Sequence, residues 1–150
     1  MDEHLPLRRS AFALVPVAAT MNHHRQQQLN LTMEWKIYHN PRCSKSRQTL
    51  QLLRDRGIEP QVIEYLKVPP NAADFRRLQA QTGLEARDLM RTADRAFADA
   101  GLDATTASDA DLARAVAKDP RLLQRPIVVV GDRAVVGRPP ENVLKLLENT

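Results

Sequence analysis

Apolar positions along the chain follow two rhythms. The aromatic and β-branched run Trp-Lys-Ile-Tyr-His at 35–39 predicts a strand. After a short polar stretch come good helix formers with leucines at Leu50 and Leu53, which predict a helix over 44–56 stopped by Gly57. A second strand is expected at 61–66, closed by Pro69-Pro70. Strand, helix, strand with a helix-length crossover is a βαβ unit, and its two strands run parallel.

The middle reads as helical. Asn71 is placed to cap a helix carrying Phe75 and Leu78 that ends at Gly83. Further helical pieces are expected at 85–92 around Leu89 and Met90, at 95–100 before Gly101, and at 109–118. In the last of these Ser108 is the cap, and Leu112, Val116 and Ala115 form the inner face. Sheet character returns at 127–130, Ile-Val-Val-Val, four β-branched residues in a row, as in a strand covered on both faces. Gly131-Asp132 suits a type II′ hairpin into a strand over 133–136. A final helix from Pro139-Pro140 would bury Val143, Leu144 and Leu147. The order β-α-β, helical insert, β-β-α is that of an α/β, thioredoxin-like mixed sheet. Arg125-Pro126, directly before the buried strand, is a candidate for a cis bond; the alternative is a trans proline opening the strand.

Residues 1–32 lack this patterning. They hold three of the four histidines, His4, His23 and His24, and the run Gln26-Gln27-Gln28, as expected of a disordered extension or of a start codon misplaced upstream of Met33. The patterned domain is therefore 33–150. Arg8-Arg9 before an apolar 10–19 has the outline of an export signal, but Asp2, Glu3 and Pro16 interrupt it. No apolar run is long enough for a membrane span. With 22 basic and 18 acidic residues interleaved, a net charge of +4 admits an anionic partner without marking a nucleic-acid-binding arm. A cytoplasmic location with no membrane or nucleic-acid partner is the expectation.

Cys43 is the single cysteine. It falls between the first strand and the first helix, where helix N–H groups and partial positive charge favour a thiolate. Arg42, Lys45, Arg47 and His39 add positive character nearby. A free thiol with a pKa of about 8.5 is roughly 3% ionised at pH 7, so a drop of about two units would ionise most of it. A lone buried, inert cysteine is the alternative, and the flanking charges oppose burial. Zinc binding by His39 and Cys43 lacks further ligands. Arg91, Arg125 and Arg138 lie at element ends that this fold brings towards Cys43; guanidinium groups suit tetrahedral oxyanions because they donate in pairs. For any one of them, a solvated surface position is the alternative.

The stretch 38–47, Tyr-His-Asn-Pro-Arg-Cys-Ser-Lys-Ser-Arg, with Leu-Gln-Arg-Pro-Ile-Val-Val at 123–129 and Gly-Arg-Pro at 137–139, resembles the glutaredoxin-coupled arsenate reductase family. Arg42 and Lys45 replace the small neutral neighbours of its plasmid-borne members, so the chain resembles the chromosomal branch. The resemblance implies that Cys43 attacks arsenate, that glutathione serves as co-substrate with no bound cofactor or metal, and that glutaredoxin resolves the resulting disulfide. It further implies that Arg91, Arg125 and Arg138 bind the oxyanion with help from Ser46 and Arg47, and that His39 lowers the thiol pKa. Two other functions share this scaffold. One is a redox-sensing RNA polymerase adaptor, disfavoured because Ser46 stands where a Cys-x-x-Cys switch needs its second thiol. The other is a thiol oxidoreductase acting on a different substrate.

Overall fold

The computed structural model describes residues 33–148. The expectations for 1–32, including the export outline and His4, His23 and His24, lie outside the described residues. Strand β1 (Trp35–His39) leads through the Cys43 loop into α1 (Ser44–Asp55), and β2 (Gln61–Glu64) comes after it. Next come α2 (Ala72–Thr82), a 3-10 turn at Ala86–Leu89, α3 (Arg95–Asp99), α4 (Asp109–Lys118) and a 3-10 turn at Pro120–Leu122. The hairpin β3 (Ile127–Val130) and β4 (Arg133–Val136), a 3-10 turn at Pro140–Leu144 and α5 (Lys145–Glu148) complete the order.

The sheet order is β2-β1-β3-β4. β1 pairs parallel with β2, Ile37 against Val62, and antiparallel with β3, Ile37 against Val128. The result is the mixed, thioredoxin-like sheet expected from the element order. All of β3 is buried, because a central strand has both faces covered. Ile127 and Val129 face a core built by the insert with Phe75, Leu78, Leu112 and Val116. By strand alternation Val128 and Val130 face the other side, where α1 and the C-terminal turns pack. The hairpin uses Gly131-Asp132 with φ +60 at Gly131, the first central position of a II′ turn.

Capping chemistry fixes the two long insert helices. Asn71 and Asp74, and likewise Ser108 and Asp111, form reciprocal capping boxes at α2 and α4. Three expectations need correction. β2 stops at Glu64, because the Glu64 carbonyl accepts the N–H groups of Lys67 (2.9 Å) and Val68 (3.0 Å) and turns the chain. The segment expected to be helical over 85–92 is a single 3-10 turn, after which Met90 is extended and bridges antiparallel to Leu123. The C-terminal segment begins as 3-10, with about three residues per turn, so its buried positions are Val143 and Leu146, and Leu144 and Leu147 are only half-buried.

The Arg125-Pro126 bond is cis, and so is Arg138-Pro139, which no sequence pattern singled out. Gly137 sits between them in a space with no room for a side chain. A Cβ there would meet Thr49 Oγ1 at 2.8 Å and Pro126 Cγ at 2.9 Å. Gly137→Ala should therefore destabilise the fold by about 1–3 kcal/mol through overpacking, read as a lower denaturant midpoint at unchanged slope; an unchanged midpoint would refute this packing.

Candidate active site

β1 delivers the chain to the site, and Asn40 shapes the loop beyond it. Its carbonyl accepts Cys43 N–H at 2.9 Å, closing a turn over Pro41-Arg42, and its Oδ1 accepts Arg42 N–H at 3.0 Å. Its own N–H donates to Ser46 Oγ at 3.3 Å. Asn and Pro are the residues that favour such a turn, so the loop conformation is encoded locally.

Cys43 is thereby the N-cap of α1, with extended φ −92 and ψ 123, and its carbonyl accepts Arg47 N–H at 3.0 Å. The half-buried thiol makes no formal capping hydrogen bond, yet the N–H groups of Lys45 and Ser46, at the second and third helical positions, face the sulfur. Burial pushes the thiol up. The Ser46 and Lys45 N–H groups, the Ser46 hydroxyl and the Arg125 guanidinium together outweigh it, so the pKa lies below its ordinary value.

His39 ends β1 in a buried position, beside Glu64 in the parallel register. Burial lowers its pKa against the pull of Glu64, which keeps the imidazole neutral near pH 7, and its Nδ1 has no partner among the described residues. The leading influences on Cys43 do not include His39. Ser46 is wholly buried and acts on the sulfur. Arg47 donates from Nη1 to the Pro41 carbonyl at 2.9 Å, bracing the loop.

The three arginines converge from separate segments. Arg91 and Arg138 line one cavity of about 400 Å³ with Thr92, Ala93, Asp94 and Gln124. Arg138 Nη1 donates to the Arg125 carbonyl at 3.3 Å. Arg125 is the member whose charge reaches Cys43, and its Nε is buried without a partner among the described residues. The scaffold for this convergence is the Met90–Leu123 bridge, extended by Arg91 N–H to the Leu122 carbonyl (2.7 Å) and Gln124 N–H to the Leu89 carbonyl (2.8 Å). Among the described residues no group of three or more His, Cys, Asp or Glu could hold a metal. No helix there is long and apolar enough to cross a membrane.

The ArsC family model matches residues 38–146, from the end of β1 to the last turn. The chain belongs to that family. A Neisseria meningitidis protein named arsenate reductase is 45% identical over 115 residues, 76% of this chain and 98% of that one. An Escherichia coli K12 protein, uncharacterized protein YfgD, is also 45% identical, over 78% of this chain and 99% of its own length. In structure, an arsenate reductase from Vibrio cholerae superposes with a TM-score of 0.73 at 47% identity, covering 75% of this chain and 97% of that one.

Sequence reasoning missed three residues of this ArsC site. Tyr65, next after β2, is buried, with its hydroxyl under the influence of the Asn40 side chain, Arg125 and Cys43. A parallel register pairing His39 with Glu64 sets Tyr65 opposite Asn40, and that was the available signal. Gln124 clamps the Met90 carbonyl through Nε2 at 3.2 Å, and Asp94 pairs with Arg91 at 2.9 Å. Both depend on the Met90 bridge, which helical pattern-reading hides.

Alkylation of Cys43 should rise with pH through a midpoint below about 8.5, because the thiolate is the reacting form. Ser46→Ala and Arg125→Ala should each move that midpoint upward, since each removes an influence that favours the charged sulfur. A midpoint at or above the free-thiol value in the unaltered protein would contradict the geometry.

Proposed function

We propose that this chain reduces arsenate to arsenite, with Cys43 as the nucleophile and external thiols as the reductant. The observation that carries the reading is the position of Cys43 at the start of α1, its pKa held down by helix N–H groups and by Arg125, whose carbonyl accepts a hydrogen bond from Arg138, a residue that lines one cavity with Arg91. The activity named for the Neisseria and Vibrio relatives supports the same substrate.

In this mechanism Arg91, Arg125 and Arg138 hold the oxyanion, and their charge offsets the repulsion between thiolate and arsenate. The Cys43 sulfur attacks arsenic; an S–As bond forms and one As–O bond breaks, its oxygen leaving as water after taking up a proton. Glutathione thiolate then attacks the Cys43 sulfur. The S–As bonding pair stays on arsenic, which becomes trivalent, and a Cys43–glutathione disulfide remains. A glutaredoxin thiol removes the glutathione and restores Cys43. Ser46 maintains the thiolate, Arg47 supports the loop that faces the anion, and His39, buried and neutral, ends the strand that delivers that loop.

Sheet order supports a route for the second substrate. β1 leads into the Cys43 loop with two neighbours: Arg125 stands at the entrance of β3 on one side, and a groove of about 340 Å³ lies on the β2 side against Asn40, Pro41 and Arg42 of that loop. That groove is lined by Arg42, Lys67 and Glu64, a charge set that matches the two carboxylates and one ammonium of glutathione. Exposed Val62, Leu66 and Val68 along the same edge fit a thiol-bearing protein partner such as glutaredoxin.

A thiol oxidoreductase acting on another substrate is the second reading, favoured by the charged Arg42 and Lys45 around the cysteine. A coupled assay separates the two. With glutathione, glutaredoxin and NADPH-driven regeneration, arsenate should trigger NADPH consumption, and Cys43→Ser should abolish it. Turnover of a glutathione mixed disulfide with none on arsenate at millimolar concentration would select the second reading.

A further inference from the structure

A carboxylate stands in the wall of the arginine cavity. Asp94 Oδ2 lies 2.9 Å from Arg91 Nη1, and both side chains are about 70% covered. The two residues line the same cavity as Arg138 and Gln124. Asp94 is also the N-cap of α3, its Oδ1 accepting Ala96 N–H at 2.9 Å, so one oxygen is fixed by the backbone and the other meets the guanidinium. The cap bond to Ala96, together with Arg91, Arg125 and Arg121, keeps its pKa below the usual carboxylate range despite partial burial, so it is charged at neutral pH.

A negative charge within an anion-binding cluster is a conflict, because it occupies one guanidinium and repels the ligand. We propose that Asp94 is a resident counter-ion that holds Arg91 in the empty site and that an incoming oxyanion must displace, making it a determinant of oxyanion affinity. The inference rests on the arsenate reading of the cavity. It also gives the site a selection rule. A multiply charged tetrahedral anion that engages several guanidinium groups outcompetes one tethered carboxylate, whereas a singly charged anion meeting only Arg91 does not.

Charge can be separated from structure here because Asn and Ser cap helices about as well as Asp. Asp94→Asn and Asp94→Ser remove the charge and keep the cap. Binding is read as the protection that arsenate, and separately inorganic phosphate, gives Cys43 against iodoacetamide, a neutral reagent whose access does not depend on local charge. Both variants should bind the anions more tightly, roughly three- to fivefold, as for a partly exposed ion pair.

Unchanged or weaker protection in the variants, with measurable protection in the unaltered protein, would overturn the role of Asp94 and leave the oxyanion site standing; it would mean that Asp94 positions Arg91 for the ligand. Absence of protection by arsenate in the unaltered protein and both variants would overturn the inference together with the reading on which it rests.

Discussion

The site depends on one backbone constraint: the turn that makes Cys43 the first cap of α1. Asn40 accepts the N–H groups of Cys43 and Arg42 and gives its own N–H to Ser46, leaving the thiol facing the free N–H groups of the helix start. Burial alone would suppress ionisation of this sulfur. Local hydrogen-bond donors reverse that effect, and the distant Arg125 adds to them. The lowered pKa is thus set mostly by residues within a few positions of the cysteine, and the fold's part is to add Arg125 from across the chain.

The sheet performs that task. Placing β1 between β2 and β3 sets the loop after it against a mixed-charge groove on the β2 side and near Arg125 at the entrance of β3; that groove and the arginine cavity share no lining residue. On the β3 side the packing is close. Gly137 lies against Thr49 and Pro126, Arg138 reaches the Arg125 carbonyl, and the Met90–Leu123 bridge ties Arg91 to the same strand entrance. Three arginines far apart in sequence are therefore set by backbone contacts, a cheaper means of orienting charges than long side chains alone.

Most of the frame was legible in the sequence because it is written in local chemistry. The Ser108 cap, the Gly131-Asp132 hairpin and the continuous β-branched run of β3 each arise from steric or hydrogen-bonding preferences of a few neighbours. The parts that were not legible come from contacts across the chain. Met90 is extended because Leu123 pairs with it, whatever its helix propensity, and the C-terminal turn tightens to 3-10, moving its buried face to Leu146. Cys43 and the three arginines could be named from motifs. The ion pair of Asp94 with Arg91, the approach of Tyr65 to Asn40 and the neutral, buried state of His39 required coordinates.

The central claim is that the Cys43 thiolate attacks an oxyanion and is released by an external thiol. Intact-protein mass spectrometry tests it most directly, with glutathione present and glutaredoxin withheld. Adding arsenate should accumulate one glutathione per chain, located on Cys43. No adduct, or the same adduct at the same rate without arsenate, would contradict the account.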